Sequence, residues 1–338
     1  MPFFPSRVMF EKSALEYPLG RQLYDYFAAQ GVERLIIGSH NRVAGIPAAT
    51  PQQGFNEAKK TLVFGVRRTL DFETCRPSAH YQLPLATGCP GKCQYCYLLT
   101  SMPQKPYLRA YVNVEEILRR ADDYIRQREP ELTFFEGAAT SDPVPVERFT
   151  HALEQAINFF ARRECGRFRF VTKFSEIDPL LRLEHRRHTR IRFSLNTPRI
   201  VARYEPATPP LEERVEAARR AAAAGYPLGL VIAPIIAYDG WQDDYLQLVQ
   251  RLAVSLGEVD DLSFELISHR FTARARRRIL ELFPGTDLPL ETEGRAFKYG
   301  QFGYGKYVYP GEKMEEIRET LVDEIDRRFP RARIEYFV

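Results

Sequence analysis

"GCPGKCQYCY", residues 88–97, carries three of the chain's five cysteines, Cys89, Cys93 and Cys96, in the spacing C-x3-C-x2-C. An odd total with three clustered speaks against a disulfide framework and for metal or redox chemistry. Gly88, Pro90 and Gly91 let the backbone wrap tightly. Lys92 adds a positive charge that favours thiolate over thiol.

The loop follows "QLPLATG" (82–88), the first of six strand-like apolar runs. The others are "LTFFEGA" (132–138), "RFRFVTK" (167–173), "TRIRFSLN" (189–196), "PLGLVIAPI" (227–235) and "LSFELIS" (262–268). Helical patterns at 114–128, 145–163, 211–224, 241–256 and 272–282 separate most of them. Strands alternating with helices imply a parallel sheet with right-handed crossovers. Six units fall short of the eight of a closed barrel, so the expected α/β fold is an open, partial (β/α)6 barrel of the TIM type. Its functional end is the C-terminal end of the strands, where the cysteine loop sits.

Residues 1–78 read as a small N-terminal α/β domain, with the barrel over 79–338. Leu19, Leu23, Tyr26 and Phe27 form one helical stripe that Gly31 can end; "RLIIG" (34–38) and "TLVFGV" (61–66) read as strands joined by a loop around 47–53. At the other end, "AFKYGQFGYGKYVYP" (296–310) reads as a β-hairpin, followed by a helix over 312–328 and a strand "RIEYFV".

Of the 338 residues, 44% are hydrophobic and 27% charged, enough apolar surface for a real core. The N-terminal stretch lacks a secretory pattern, and the longest apolar run, 227–238, is too short and too interrupted to span a bilayer. A cytoplasmic protein without membrane partners is therefore expected. A net charge of +4 permits a nucleic-acid partner without demanding one.

Three readings of the loop compete. A structural zinc site needs four ligands, with His80 as the available fourth. A ferredoxin-type site needs a fourth cysteine, and neither Cys75 nor Cys165 has the spacing. A [4Fe–4S] cluster with one iron left open needs only three, and an open position is what makes a metal site catalytic.

The third pattern, with Tyr95 before the last cysteine, resembles the radical S-adenosylmethionine enzymes. Further stretches, "ATGCPGKCQYCYL", "PYLRAYVNVEEI", "SDPVPVERFTHAL", "RFVTKF", "FELISHRFT" and "YGKYVY", together with the N-terminal "ALEYPLG…LYDYF", resemble the spore photoproduct lyase family over nearly the whole chain. The resemblance implies a DNA-repair lyase that reverts a thymine photolesion to two thymines. Its cofactors would be a [4Fe–4S] cluster and S-adenosyl-L-methionine, which yields a 5′-deoxyadenosyl radical once a low-potential donor has reduced the cluster. A sporulating organism would hold it in the spore core.

Carried over by position, Cys89, Cys93 and Cys96 bind the cluster. Ser141, Lys173 and Ser194 hold the cofactor's carboxylate and ribose, backbone at Gly137 and Ala138 meets its amino group, and Ala233 lies by its adenine. Tyr95 and Tyr97 relay a hydrogen. Each residue has a plainer alternative: "TSDP" reads equally as a helix start with Ser141 or Asp142 as cap, Lys173 as a solvated strand-end lysine, and Tyr95 as packing beside the loop.

At one position the pattern breaks. The family has a hydrogen-donating cysteine just before "TSD", and here that position is Ala139 in "EGAATSD". A methyl group is no useful donor, so slower or less clean repair is expected. Cys75 and Cys165 are poor substitutes, the latter lying at the wrong strand ends.

A lesion joining adjacent bases must be flipped out to be reached. The hairpin is the candidate wedge. Lys298 and Lys306 would meet phosphates, Tyr299, Gln301, Phe302, Tyr304 and Tyr307 the bases, and Arg270 the backbone beyond a strand end. The plainer reading is that the hairpin caps the barrel. The basic run "HRRHTRIR" (185–192) reads as a solvated face. Two other functions remain open: a related radical enzyme acting on another nucleic acid, and a non-catalytic iron–sulfur DNA-binding protein.

Overall fold

In "RVMFE" (Arg7–Glu11, β1) Val8 and Phe10 join one apolar cluster and Met9 another, the two-residue period of a strand covered on both faces. A computed structural model of the chain describes residues 2–103, 106–299, 303 and 305–338. Gln301, Phe302 and Tyr304, assigned above to the lesion, lie outside the described residues. The described residues form two compact units, one comprising residues up to Gly91 with Met102–Arg190, the other Lys92–Ser101 with Ile191–Val338. Both are mixed α/β.

In the first unit β1 lies between β2 (Glu33–Ile37) and β3 (Thr61–Gly65), parallel to both. Four further strands complete the segment that leads to the cysteine loop and out of it: β4 (Thr74–Cys75), β5 (Ala79–Gln82), β6 (Ala86–Thr87) and β7 (Leu108–Tyr111). β7 joins the other edge of β3 in parallel, and β6 pairs antiparallel to β7. Leu23 and Phe27 of helix Pro18–Ala29 pack on the Val8/Phe10 face with Phe64 and Leu108, while Ala58 covers the Met9 face with Tyr107.

The same unit holds a second sheet. β8 (Thr133–Glu136) and β9 (Gly166–Thr172) are parallel, β5 runs parallel to β8, and β4 folds back antiparallel on β5. Phe135, Phe160, Phe168 and Phe170 fill its core, with Phe160 and Phe168 stacked at 5.3 Å.

In the second unit β10 (Thr189–Leu195, within the unit from Ile191), β11 (Leu228–Ile235), β12 (Leu262–Ser268) and β15 (Arg333–Phe337) are parallel neighbours in that order. Tyr245, Leu248 and Leu252 of helix Trp241–Leu256 and Ile317, Leu321 and Ile325 of helix Gly311–Arg328 bury their apolar stripes. Strands β13 (Ala296–Tyr299) and β14 (Gly305–Val308) form the expected antiparallel hairpin.

Three local expectations change. "QLPLATG" is not one strand: β5 ends at Gln82 and β6 begins at Ala86 in the other sheet, because Pro84 offers no N–H to continue a ladder. The loop around 47–53 ends in a helix, Pro51–Ala58, which Thr50 caps by accepting the Gln53 N–H. The helical pattern 145–163 is two helices broken at His151, which sits at φ 51°. Among the described residues no helix is long and apolar enough to cross a membrane.

Candidate active site

The cysteine loop leaves the first unit under tight backbone control. Gly88 has φ +83°, donates to the Thr140 carbonyl at 2.8 Å and accepts the Asp142 N–H at 3.2 Å. A Cβ there would lie 2.5 Å from the Tyr107 carbonyl oxygen. Both the left-handed backbone and the close approach require glycine. Gly88→Ala should therefore lose about 2 kcal/mol or more of stability, read by urea unfolding. The next carbonyl, of Cys89, accepts from Lys59 Nζ at 2.6 Å, and the Cys89 sulfur accepts the Gly91 N–H at 3.3 Å.

The ends of β8 and β9 hold the other predicted residues of this unit. Gly137 N donates to the Arg169 carbonyl at 2.8 Å, and Ala138 N to Glu136 Oε1 at 3.0 Å. A side chain at 137 would meet the Phe168 ring at 2.7 Å and would have to displace it. Ser141 forms a bridge with Gly88, and its hydroxyl donates to the Gly137 carbonyl at 3.4 Å. Neither Ser141 nor Asp142 is the cap: helix Val144–Thr150 has Pro143 at its N-cap, and Asp142 Oδ1 accepts the Val144 N–H just inside it at 3.3 Å.

Asp142 is also the hub of this segment. It accepts from the Thr172 hydroxyl at 2.8 Å and from Lys173 N at 2.8 Å, fixing Lys173 at the end of β9. Burial pushes its carboxyl up to about 6, against the lowering pull of these donors. Since that value lies above the unfolded one of 3.8, the group costs nothing below about pH 4. The cost grows to about 3 kcal/mol as pH passes 6. Urea unfolding over pH 4–6 should show stability falling, and Asp142→Asn should flatten that slope.

Ala139 is half-buried and lines a cavity of about 180 Å³ with Gly137, Thr140, Thr87, Arg67 and Arg109. Cys165 immediately precedes β9, and its carbonyl accepts from Thr133 N at the start of β8. It therefore marks the N-terminal ends of these parallel strands, opposite to Ala139. His80, the fourth ligand of the zinc reading, uses Nδ1 to accept the Phe134 N–H at 3.0 Å.

The second unit carries the rest of the loop. Lys92 N and Gln94 N donate to the Pro206 and Tyr204 carbonyls at 2.8 and 2.9 Å. Between them Cys93 is buried, and Cys96 N donates to the Cys93 carbonyl before helix Leu98–Ser101 begins. None of the five cysteines is in a disulfide. A soft thiolate set on one short loop, with an N–H aimed at Cys89 sulfur, suits iron–sulfur ligation.

Tyr95 turns its hydroxyl into the protein, where it donates to Glu205 Oε1. Burial first, and the Glu205 charge second, raise its pKa well above the usual phenol value. Glu205 is paired with Arg214 at 2.6 Å, both fully enclosed. Tyr97, two residues on, is 55% exposed. Ser194 lies one residue before the end of β10, buried, with its carbonyl accepting from Arg214 at 3.2 Å. Ala233 lies in β11 within the irregularity between Ile232 and Ile235. Glu205 and Arg214 had no signal in the sequence: a lone Glu 110 residues from Tyr95 has no periodicity to betray it.

The hairpin presents charge. Lys298 and Lys306 are directly opposed, an arrangement of like charges that destabilises a strand pair unless an anion lies against it. Lys306 has its pKa lowered by burial and by Arg270, just beyond β12. Tyr307 is half-buried, bridged to Phe271 by two backbone bonds with its ring against those of Phe271 and Phe297, whereas Tyr299 is 78% exposed. In "HRRHTRIR", Arg192 is not a solvated residue: it is buried in an ion pair with Glu265 at 2.7 Å.

A family model described as Spore photoproduct lyase matches residues 3–338. The chain belongs to the spore photoproduct lyase family. It is 48% identical over 332 residues to the spore photoproduct lyase of Clostridium acetobutylicum, covering 98% of each chain. To that of Bacillus subtilis it is 48% identical over 338 residues, covering 99% of each. A solved spore photoproduct lyase complexed with dinucleoside spore photoproduct superposes with a TM-score of 0.98 at 47% identity over the whole of both chains. A doubly substituted form with bound AdoMet and the same dinucleoside superposes at 0.97, also at 47% identity and full coverage. The cysteine loop, the β8 and β9 ends and the hairpin all fall inside the matched range.

Proposed function

We propose that this chain is a radical S-adenosylmethionine lyase that reverts the spore photoproduct in DNA to two thymines. The family match over residues 3–338, with the three-cysteine loop inside it, carries the reading. The finer fold proposed with it is a partial (β/α)6 barrel over 79–338, extended by the hairpin and preceded by an α/β domain over 1–78.

Cys89, Cys93 and Cys96 would hold a [4Fe–4S] cluster and leave one iron to S-adenosyl-L-methionine. When bound, that pair supplies the carbon-centred radical that starts repair. The chain's residues aim and shield. Ser141, Lys173 and Ser194 hold the cofactor's polar groups, backbone at Gly137 and Ala138 meets its amino end, and Ala233 packs by its base. Lys298, Lys306 and Arg270 hold phosphates, a role favoured by the opposed lysines. The exposed Tyr299 and the half-buried Tyr307 offer faces for base stacking. A low-potential electron donor is required, and the expected compartment is cytoplasmic, or the spore core in a sporulating organism.

The deciding assay is anaerobic incubation of reconstituted, dithionite-reduced protein with a dinucleoside spore photoproduct. Release of thymine supports the reading. Formation of 5′-deoxyadenosine with no thymine from the lesion points to another substrate, and binding without either product points to a non-catalytic protein.

A further inference from the structure

We propose that Glu205 is a positioning residue for Tyr95, held ready by Arg214; this inference rests on the functional reading above. The three side chains form one relay inside the second unit, with Tyr95 half-buried and the Glu205–Arg214 pair fully enclosed. Tyr95 donates its hydroxyl hydrogen to Glu205 Oε1, while Glu205 Oε2 meets Arg214 at 2.6 Å. Arg214 is fully buried and held on every side. Its Nε donates to the Pro209 carbonyl at 2.8 Å, one terminal nitrogen to the Thr208 hydroxyl at 2.8 Å, and the other to the Ser194 carbonyl at 3.2 Å.

This arrangement does two things. A carboxylate fixed by a guanidinium cannot rotate away, so the phenol has one strong acceptor in one direction. The same guanidinium grips the end of β10 at Ser194, so Tyr95 and Ser194 share one rigid reference. A buried ion pair is poor evidence for stability, since apolar residues of similar volume often do as well. Its position beside a tyrosine of the cysteine loop fits a demand for orientation. Tyr97, exposed two residues on, has no such enclosure.

Two arms test it. In cluster-free protein, ultraviolet resonance Raman of the native chain minus Tyr95→Phe isolates the Tyr95 bands. In a Glu205→Gln background these bands should move towards a weaker hydrogen-bond donor. In reconstituted protein, Tyr95→Phe and Glu205→Gln should each slow thymine formation by roughly tenfold, the loss of one charge-assisted hydrogen bond, with KM for the lesion dinucleoside unchanged. The double variant should be no slower than Tyr95→Phe alone. Effects that multiply in the double variant, or an unchanged Raman difference, overturn the inference. Should the native chain release no thymine, the functional reading falls by itself, and the Raman arm alone decides whether Glu205 holds Tyr95.

Discussion

Replacing Cys93 with alanine should lower 5′-deoxyadenosine formation by more than about a hundredfold, a loss that even an outer partner of a metal ligand can approach. The fold should barely notice. Lys92 and Gln94 on either side are held by backbone bonds to Pro206 and Tyr204, and these do not involve the sulfur. A small side chain replaced by a smaller one at a buried site typically costs about 1 kcal/mol. The variant should therefore unfold close to the native midpoint while failing to retain iron after anaerobic reconstitution. Normal iron content with normal 5′-deoxyadenosine release would show that Cys93 is no ligand.

The second large effect goes the other way. Ala139→Cys should raise thymine yield and cut the 5′-deoxyadenosine released per thymine by about tenfold, a shift in partition of about 1.4 kcal/mol. Ala139 borders open space beside Gly137 and Thr140, so one added sulfur meets no packed core. Cys165 is no substitute. Cys165 sits at the start of β9, whereas Ala139 follows the end of the parallel β8. Product analysis of native and variant protein on the lesion dinucleoside reads the effect; an unchanged product ratio would mean that another group already returns the hydrogen.

What the sequence disclosed depended on how local the cause was. The cysteine loop is written within ten residues, and the strands that end at Glu136, Thr172, Leu195 and Ser268 announce themselves by short runs rich in aromatic and branched apolar residues. Those runs were enough to put Ser141, Lys173 and Ser194 at or just past strand ends. Pro84 was visible and should have broken "QLPLATG", yet the apolar residues around it masked the loss of an N–H donor. Thr50–Pro51 is a legible helix start, masked by the mixed polarity of the helix behind it. Val8 and Phe10, whose strand lies inside the first sheet between β2 and β3, gave too short a run to stand out. The Tyr95–Glu205–Arg214 relay is a product of folding alone, as are the Lys59 contact to the Cys89 carbonyl and the opposed pair Lys298 and Lys306.

The central claim is that three thiolates leave one iron open to a sulfonium cofactor. It is tested most directly by anaerobic reconstitution with iron and sulfide, followed by Mössbauer spectroscopy before and after adding S-adenosyl-L-methionine. One iron of a [4Fe–4S] cluster should change its signal on addition, and dithionite should then yield 5′-deoxyadenosine. A zinc-bearing protein, or a cluster whose irons all keep their signals because a fourth side chain closes the site, would contradict the account.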